Sequence, residues 1–176
     1  MAASITIIFG ISGSGKTTAC ADFVARHSDY CHVRASSFLL GAQLGPERSF
    51  QAIESDQTRI LSAFDHLKTI ETRNILFDAH SVVRNHLGIF VVPTAIVRAI
   101  SPDLIVLLDV DPEIAKRRRI ARNGTSTLQI TENISEERNL ARAACEAYSQ
   151  ELELPLRIAV TNDGFTLDAI LLHNRP

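Results

Sequence analysis

Gly10-Ile11-Ser12-Gly13-Ser14-Gly15-Lys16-Thr17 fits the spacing G-x-x-x-x-G-K-[ST] without a mismatch. Each residue type in it suits a polyphosphate. Glycines permit positive φ and leave backbone N–H groups room to wrap phosphate oxygens. A helix beginning at Lys16 points its positive end at the same anion. Lys16 is expected to reach the β- and γ-phosphates as a solvent-facing point charge, and Thr17 to offer its hydroxyl to Mg²⁺. The expected ligand is ATP, held by Gly10, Ser12, Gly13, Ser14, Gly15, Lys16, Thr17 and Thr18.

Such a site needs a carboxylate for the metal or its waters. Asp78 ends the apolar run Asn74–Asp78 and is the favoured metal partner of Thr17; Asp109, which ends Leu104–Asp109, is the alternative. Asp111 before Pro112 reads as a helix cap. His80 has a plain role, a hydrogen bond to a neighbouring loop, and a sharper one at the acceptor. Phosphoryl transfer also calls for cations around the migrating group. Arg117, Arg118, Arg119 and Arg122 precede a polar stretch that would close as a lid near 119–131. Arg138 and Arg142 are four apart, so they share one helix face. Arg118 and Arg122 are the expected ATP ligands. A solvated helix surface is the plain alternative for any single arginine. Ser36, Arg48, Arg59 and His80 are the acceptor candidates, within or beside a region spanning 36–70.

The elements that must hold these residues alternate. Ser4–Phe9, Cys31–Arg34, Asn74–Asp78, Leu104–Asp109 and Leu156–Val160 read as short buried strands. Helices are expected over Lys16–His27, Phe50–Thr69, Val91–Ile100, from Pro112, over Glu132–Leu152 and over Thr166–Leu172. The segment Ser36–Arg48 is irregular and Asn123–Thr131 is a loop. The alternation predicts an α/β protein of the P-loop NTPase type, a five-stranded parallel sheet with helices on both faces. Every chemical residue above then follows a strand's carboxyl end, where such sheets bind ligands.

The 176 residues make one domain, 1–176. A net charge of −2 supplies no basic field for nucleic acid or a membrane surface. No apolar run is long enough for a bilayer and no leader pattern opens the chain, so a cytoplasmic location is expected. Cys20, Cys31 and Cys145 fit no zinc spacing and read as reduced core thiols.

These residues together resemble the archaeal-type adenylate kinases, a branch of the P-loop nucleoside monophosphate kinases. The similarity lies in Gly13-Ser14-Gly15-Lys16-Thr17-Thr18, in Phe77-Asp78-Ala79-His80, in Ser101-Pro102-Asp103 before an aliphatic strand, and most specifically in Leu140 to Tyr148. The resemblance implies phosphoryl transfer from Mg²⁺-ATP to AMP or a related nucleotide. It implies Lys16 and Thr17 on phosphate and metal, Asp78 in the Mg²⁺ shell and Arg142 on phosphate. Lys16, Asp78, Arg118 and Arg142 thus form the expected catalytic set. Two patterns of that family are missing: most lid arginines are absent across Ile120–Thr127, and the acceptor region lacks Arg-Asp-x-Met-Arg. Arg119 and Arg122 are the available replacements in the lid, Arg48 and Arg59 in the acceptor region.

Two other functions fit the same loop. A kinase of a hydroxyl acceptor, such as a nucleoside or sugar, would need a general base, with Asp78 or His80 available. A nucleotide-binding regulatory protein would hydrolyse ATP slowly and depend on a partner protein. An arginine-lined second phosphate site separates the first reading from the second.

Overall fold

The aliphatic runs read from the sequence assemble into one parallel sheet. The computed structural model describes residues 3–41, 47–123, 133–162 and 164–172. Strands β1 (Ile5–Phe9), β2 (Tyr30–Arg34), β3 (Asn74–Asp78), β6 (Leu104–Val110) and β7 (Leu156–Thr161) lie in the order β2-β3-β1-β6-β7. Every pairing among them is parallel, with Ile7 beside Phe77 and Ile105. β4 (Val82–Asn85) and β5 (Gly88–Val91) form a separate antiparallel hairpin.

The helices are α1 (Lys16–Arg26), α2 (Phe50–Ile70), α3 (Thr94–Ile100), α4 (Pro112–Asn123), α5 (Ile134–Leu152) and α6 (Asp168–Leu171), with a 3₁₀ turn over Ala35–Leu39. Side chains alternate across a strand, so neighbouring residues feed different cores. Ile7, Phe77 and Ile105 pack with Phe64 of α2, Val97 of α3 and Tyr148 of α5. Ile8, Leu76 and Val106 pack with Cys20 and Phe23 of α1 and Leu171 of α6. Both faces are covered, which explains strands without polar alternation. The three cysteines are buried and free, as expected.

Two local expectations change. Val91–Ile100 is not one helix: Val91 closes the hairpin and α3 starts at Thr94 behind Pro93. Proline drives its preceding residue out of the helical region, so Val92 stays extended. The hairpin was not anticipated, although Asn85 and Gly88 carry its signal. Asn85 Oδ1 accepts from the backbone N–H groups of Leu87 and Gly88, closing the turn. In the irregular segment, residues 42–46 lie outside the described residues. So does most of the expected lid, from 124 to 131.

Candidate active site

The loop between β1 and α1 is built by close approach. Gly13 (φ 86°) and Gly15 (φ 91°) adopt the left-handed conformation. A Cβ on Gly13 would lie 2.8 Å from the Ala115 carbonyl oxygen of α4. Gly13→Ala is therefore expected to cost about 1–2 kcal/mol from the φ alone, with the overlap adding to it. Thermal denaturation should show the loss, and titration with a fluorescent ATP analogue should show binding weakened at least tenfold. Thr161, at the end of β7, donates to the Ser14 carbonyl at 2.9 Å and pins the loop from below.

Lys16 departs from expectation in one respect. It is not solvent-facing but buried, with Nζ donating to the Gly10 carbonyl at 2.7 Å. Carbonyl oxygens of the loop take the ammonium here, whereas its N–H groups are the ones that suit a phosphate. Burial is the main cause of its lowered pKa, opposed by the Asp78 charge.

Asp78 faces this group. Thr17 Oγ1 donates to Asp78 Oδ2 at 2.6 Å, and His32 Nε2 of β2 lies 3.4 Å from the same oxygen. Burial pushes the carboxyl up, but His32, Lys16 and Thr17 together hold it below the ordinary carboxylate range. Asp109, the alternative, is committed elsewhere. It accepts from Arg138 at 2.5 and 2.7 Å and from Arg142 at 2.8 Å. An anion already neutralised by two guanidiniums is a poor magnesium ligand. Two hard oxygens side by side at Thr17 and Asp78 fit Mg²⁺, which takes few protein ligands and keeps its waters. No group of three or more metal-ligating side chains occurs among the described residues.

The arginines of α4 converge on the loop. Arg118 Nη1 donates to the Gly13 carbonyl at 3.2 Å, Arg119 Nε to the Ser12 carbonyl at 2.9 Å, and Arg122 Nη2 to Ser12 Oγ at 2.8 Å. Arg119 is buried and forked on Glu137 of α5 at 3.0 and 3.1 Å. Arg142 is held at Asp109 instead of at the loop.

Beside the loop opens a cavity of about 1170 Å³, bounded by α2, α3, the hairpin and α4. Ser12, Ser36, Arg48, His80, Arg84, Arg119 and Arg122 line it. Arg48 bonds the buried Asp56 at 2.5 Å, and the Asn85 side chain donates to the Arg48 carbonyl. Arg84 reaches Glu136 at 3.2 Å and Glu137 at 3.7 Å. Arg59, by contrast, is half-exposed, lies 3.6 Å from Asp56 and does not line the cavity. His80 opens onto the cavity, and the Lys16 charge, ahead of desolvation, holds its imidazole down to about 3. Arg84 and His32 were missed in the sequence. Arg84 sits in the unanticipated hairpin, and His32 meets Asp78 only through strand pairing.

A parallel sheet whose first strand runs into this loop and then into a helix defines a P-loop NTPase. The chain belongs to the AAA domain family, whose model matches residues 9–136. It is similar to an adenylate kinase of Methanoculleus marisnigri, 29% identical over 97 residues, a match spanning 54% of this chain and 50% of that protein. The chain thus spans about half the length of that relative. An adenylate kinase of Saccharolobus solfataricus is 25% identical over 179 residues, covering 91% of this chain and 92% of the other. Among solved structures, deoxyadenosine kinase from M. mycoides with bound dATP shares the fold with a TM-score of 0.54. It is 16% identical, with 95% of this chain and 97% of that one covered. No helix among the described residues is long and apolar enough to cross a membrane.

Proposed function

We propose that this protein is an ATP-dependent kinase of a nucleoside monophosphate, with AMP or a related nucleotide as acceptor. The observation that carries this reading is the cavity beside the phosphate loop, lined by Arg48, Arg84, Arg119 and Arg122. Two anions, the ATP triphosphate and an acceptor phosphate, fit two adjacent cationic sites. Similarity to archaeal adenylate kinases over most of the chain supports the same reading.

In this reading the loop residues Gly10 to Thr18 hold the ATP phosphates, while Thr17 and Asp78 hold Mg²⁺. A magnesium ion held by these two oxygens would supply neutralisation of the phosphate charge. Lys16 leaves its loop carbonyls for the phosphates. Arg118, Arg119 and Arg122 bridge the loop to α4, and Arg142 swings from Asp109 to the transferring group. Ser36, Arg48 and Arg84 hold the acceptor phosphate; Arg59 supports Arg48 through Asp56. An ionised acceptor phosphate oxygen attacks the γ-phosphorus of ATP. The bond from that phosphorus to the β,γ-bridging oxygen breaks and ADP leaves, with no proton for a base to remove.

The test is ADP formation from Mg²⁺-ATP with a panel of nucleoside monophosphates, nucleosides and a no-acceptor blank. A rate with one monophosphate at least 100-fold above the blank is expected. Stimulation by nucleosides alone would shift the assignment to a hydroxyl acceptor, and a flat panel would discard the acceptor site.

A further inference from the structure

We infer that Gln57 selects the base of the acceptor, an assignment that rests on the nucleotide-acceptor reading above. Ile53, Gln57 and Ile60 follow one another at i, i+4 and i+7 on the inward face of α2, and all three line the cavity. Ile96, Val97 and Ile100 of α3 also line it. One carboxamide therefore stands in an apolar stripe where leucine would be the ordinary residue. Its own bonding does not explain it. Gln57 Nε2 reaches the Ile53 carbonyl at 3.5 Å, the outer limit for a hydrogen bond, and no described residue donates to Oε1.

The charged and amide groups nearby are partly engaged, with Nε of Arg48 and Nε of Arg84 buried and without a hydrogen-bond partner among the described residues. Arg48 is on Asp56, Arg84 on Glu136 and Glu137, and Asn85 makes three hydrogen bonds. A half-buried amide presenting one donor and one acceptor from the aliphatic wall of the cavity matches a flat heterocycle with the reverse pair. The charged rim takes the phosphate, and the aliphatic walls take the ring.

The amide also discriminates. Adenine offers N1 as acceptor and the N6 amine as donor, so a single carboxamide uses its whole pairing edge. Guanine would leave its N2 amine facing Ile53 or Ile60, and cytosine and uracil would leave O2 there. An unpartnered polar group against such walls is costly. A site built around one hydrogen-bonding pair rejects ligands that strand a polar atom.

The full chain should be assayed with Mg²⁺-ATP and AMP, GMP, CMP or UMP, as wild type, Gln57→Leu and Gln57→Glu. Wild type is expected to prefer AMP by about tenfold or more in kcat/KM. Gln57→Leu should raise the KM for AMP about tenfold while leaving the KM for ATP unchanged. Leucine continues the apolar stripe, so its melting temperature should hold or rise, which separates lost recognition from lost folding. Gln57→Glu presents two acceptors to guanine's two donors and should move the GMP:AMP ratio toward GMP by about tenfold. Wild-type selectivity retained in both variants would overturn the role of Gln57 and leave the kinase standing. Turnover of no monophosphate by the wild type would overturn the nucleotide acceptor, and this assignment with it.

Discussion

Lys16→Met is expected to lower kcat for phosphoryl transfer by about 10³-fold, the scale of losing a preorganised charge at a transition state. The ammonium sits in the loop that would hold the triphosphate, 2.7 Å from the Gly10 carbonyl. Methionine keeps the length and apolar bulk but not the charge. Stability should move far less than activity, because removing a buried charge offsets the lost hydrogen bond. The pH dependence distinguishes the two states of the lysine. Its pKa is lowered in the folded protein, so between that value and 10.5 the unfolded chain binds more protons. Stability of the wild type should therefore rise with pH across that window, and the methionine variant should lack the rise. Thermal denaturation across the pH range, beside steady-state kinetics, checks both. A variant that keeps near-normal kcat would remove Lys16 from the chemistry.

Asp78→Asn should reduce kcat by about 10²-fold or more and raise the Mg²⁺ concentration for half-maximal rate. Asparagine keeps a partner for Thr17 but supplies a weaker metal ligand than a carboxylate. The carboxyl stays below its ordinary range through His32, Lys16 and Thr17, despite burial. Its contribution to stability is thus present above 3.8 and lost as pH falls through the lowered value. The asparagine variant should show a flatter acid limb in its melting profile. Magnesium titration of the rate is the direct measurement. An unchanged magnesium requirement would exclude Asp78 as ligand, and Asp109 would then have to release Arg138 and Arg142 to serve.

The phosphate loop, the five parallel strands and Asp78 at a strand end were all legible in sequence. Each is local: the loop is a contiguous spacing, and a strand buried on both faces declares itself as an unbroken aliphatic run such as Leu104–Leu108. Gly13 needed only the motif to be noticed, although the reason for it, the Ala115 carbonyl, lies a hundred residues away. Side-chain partnerships were not legible. Arg142, which the resemblance puts on phosphate, and Arg138 beside it both pair with Asp109, and Arg48 and Arg59 share Asp56. Long flexible cations choose among anions by distance, and distances between remote segments are absent from a linear pattern.

By itself, then, the sequence determined a P-loop on a parallel sheet and a carboxylate, Asp78, at the end of a neighbouring strand, because strand and loop signals are short-range. Only the tertiary structure decided that Lys16 is buried, that Asp109 is taken, and that Arg84 and Gln57 face the same cavity as Ser12. Those outcomes depend on how α2, α4, α5 and the β4–β5 hairpin pack around one space, and packing is a property of the whole chain.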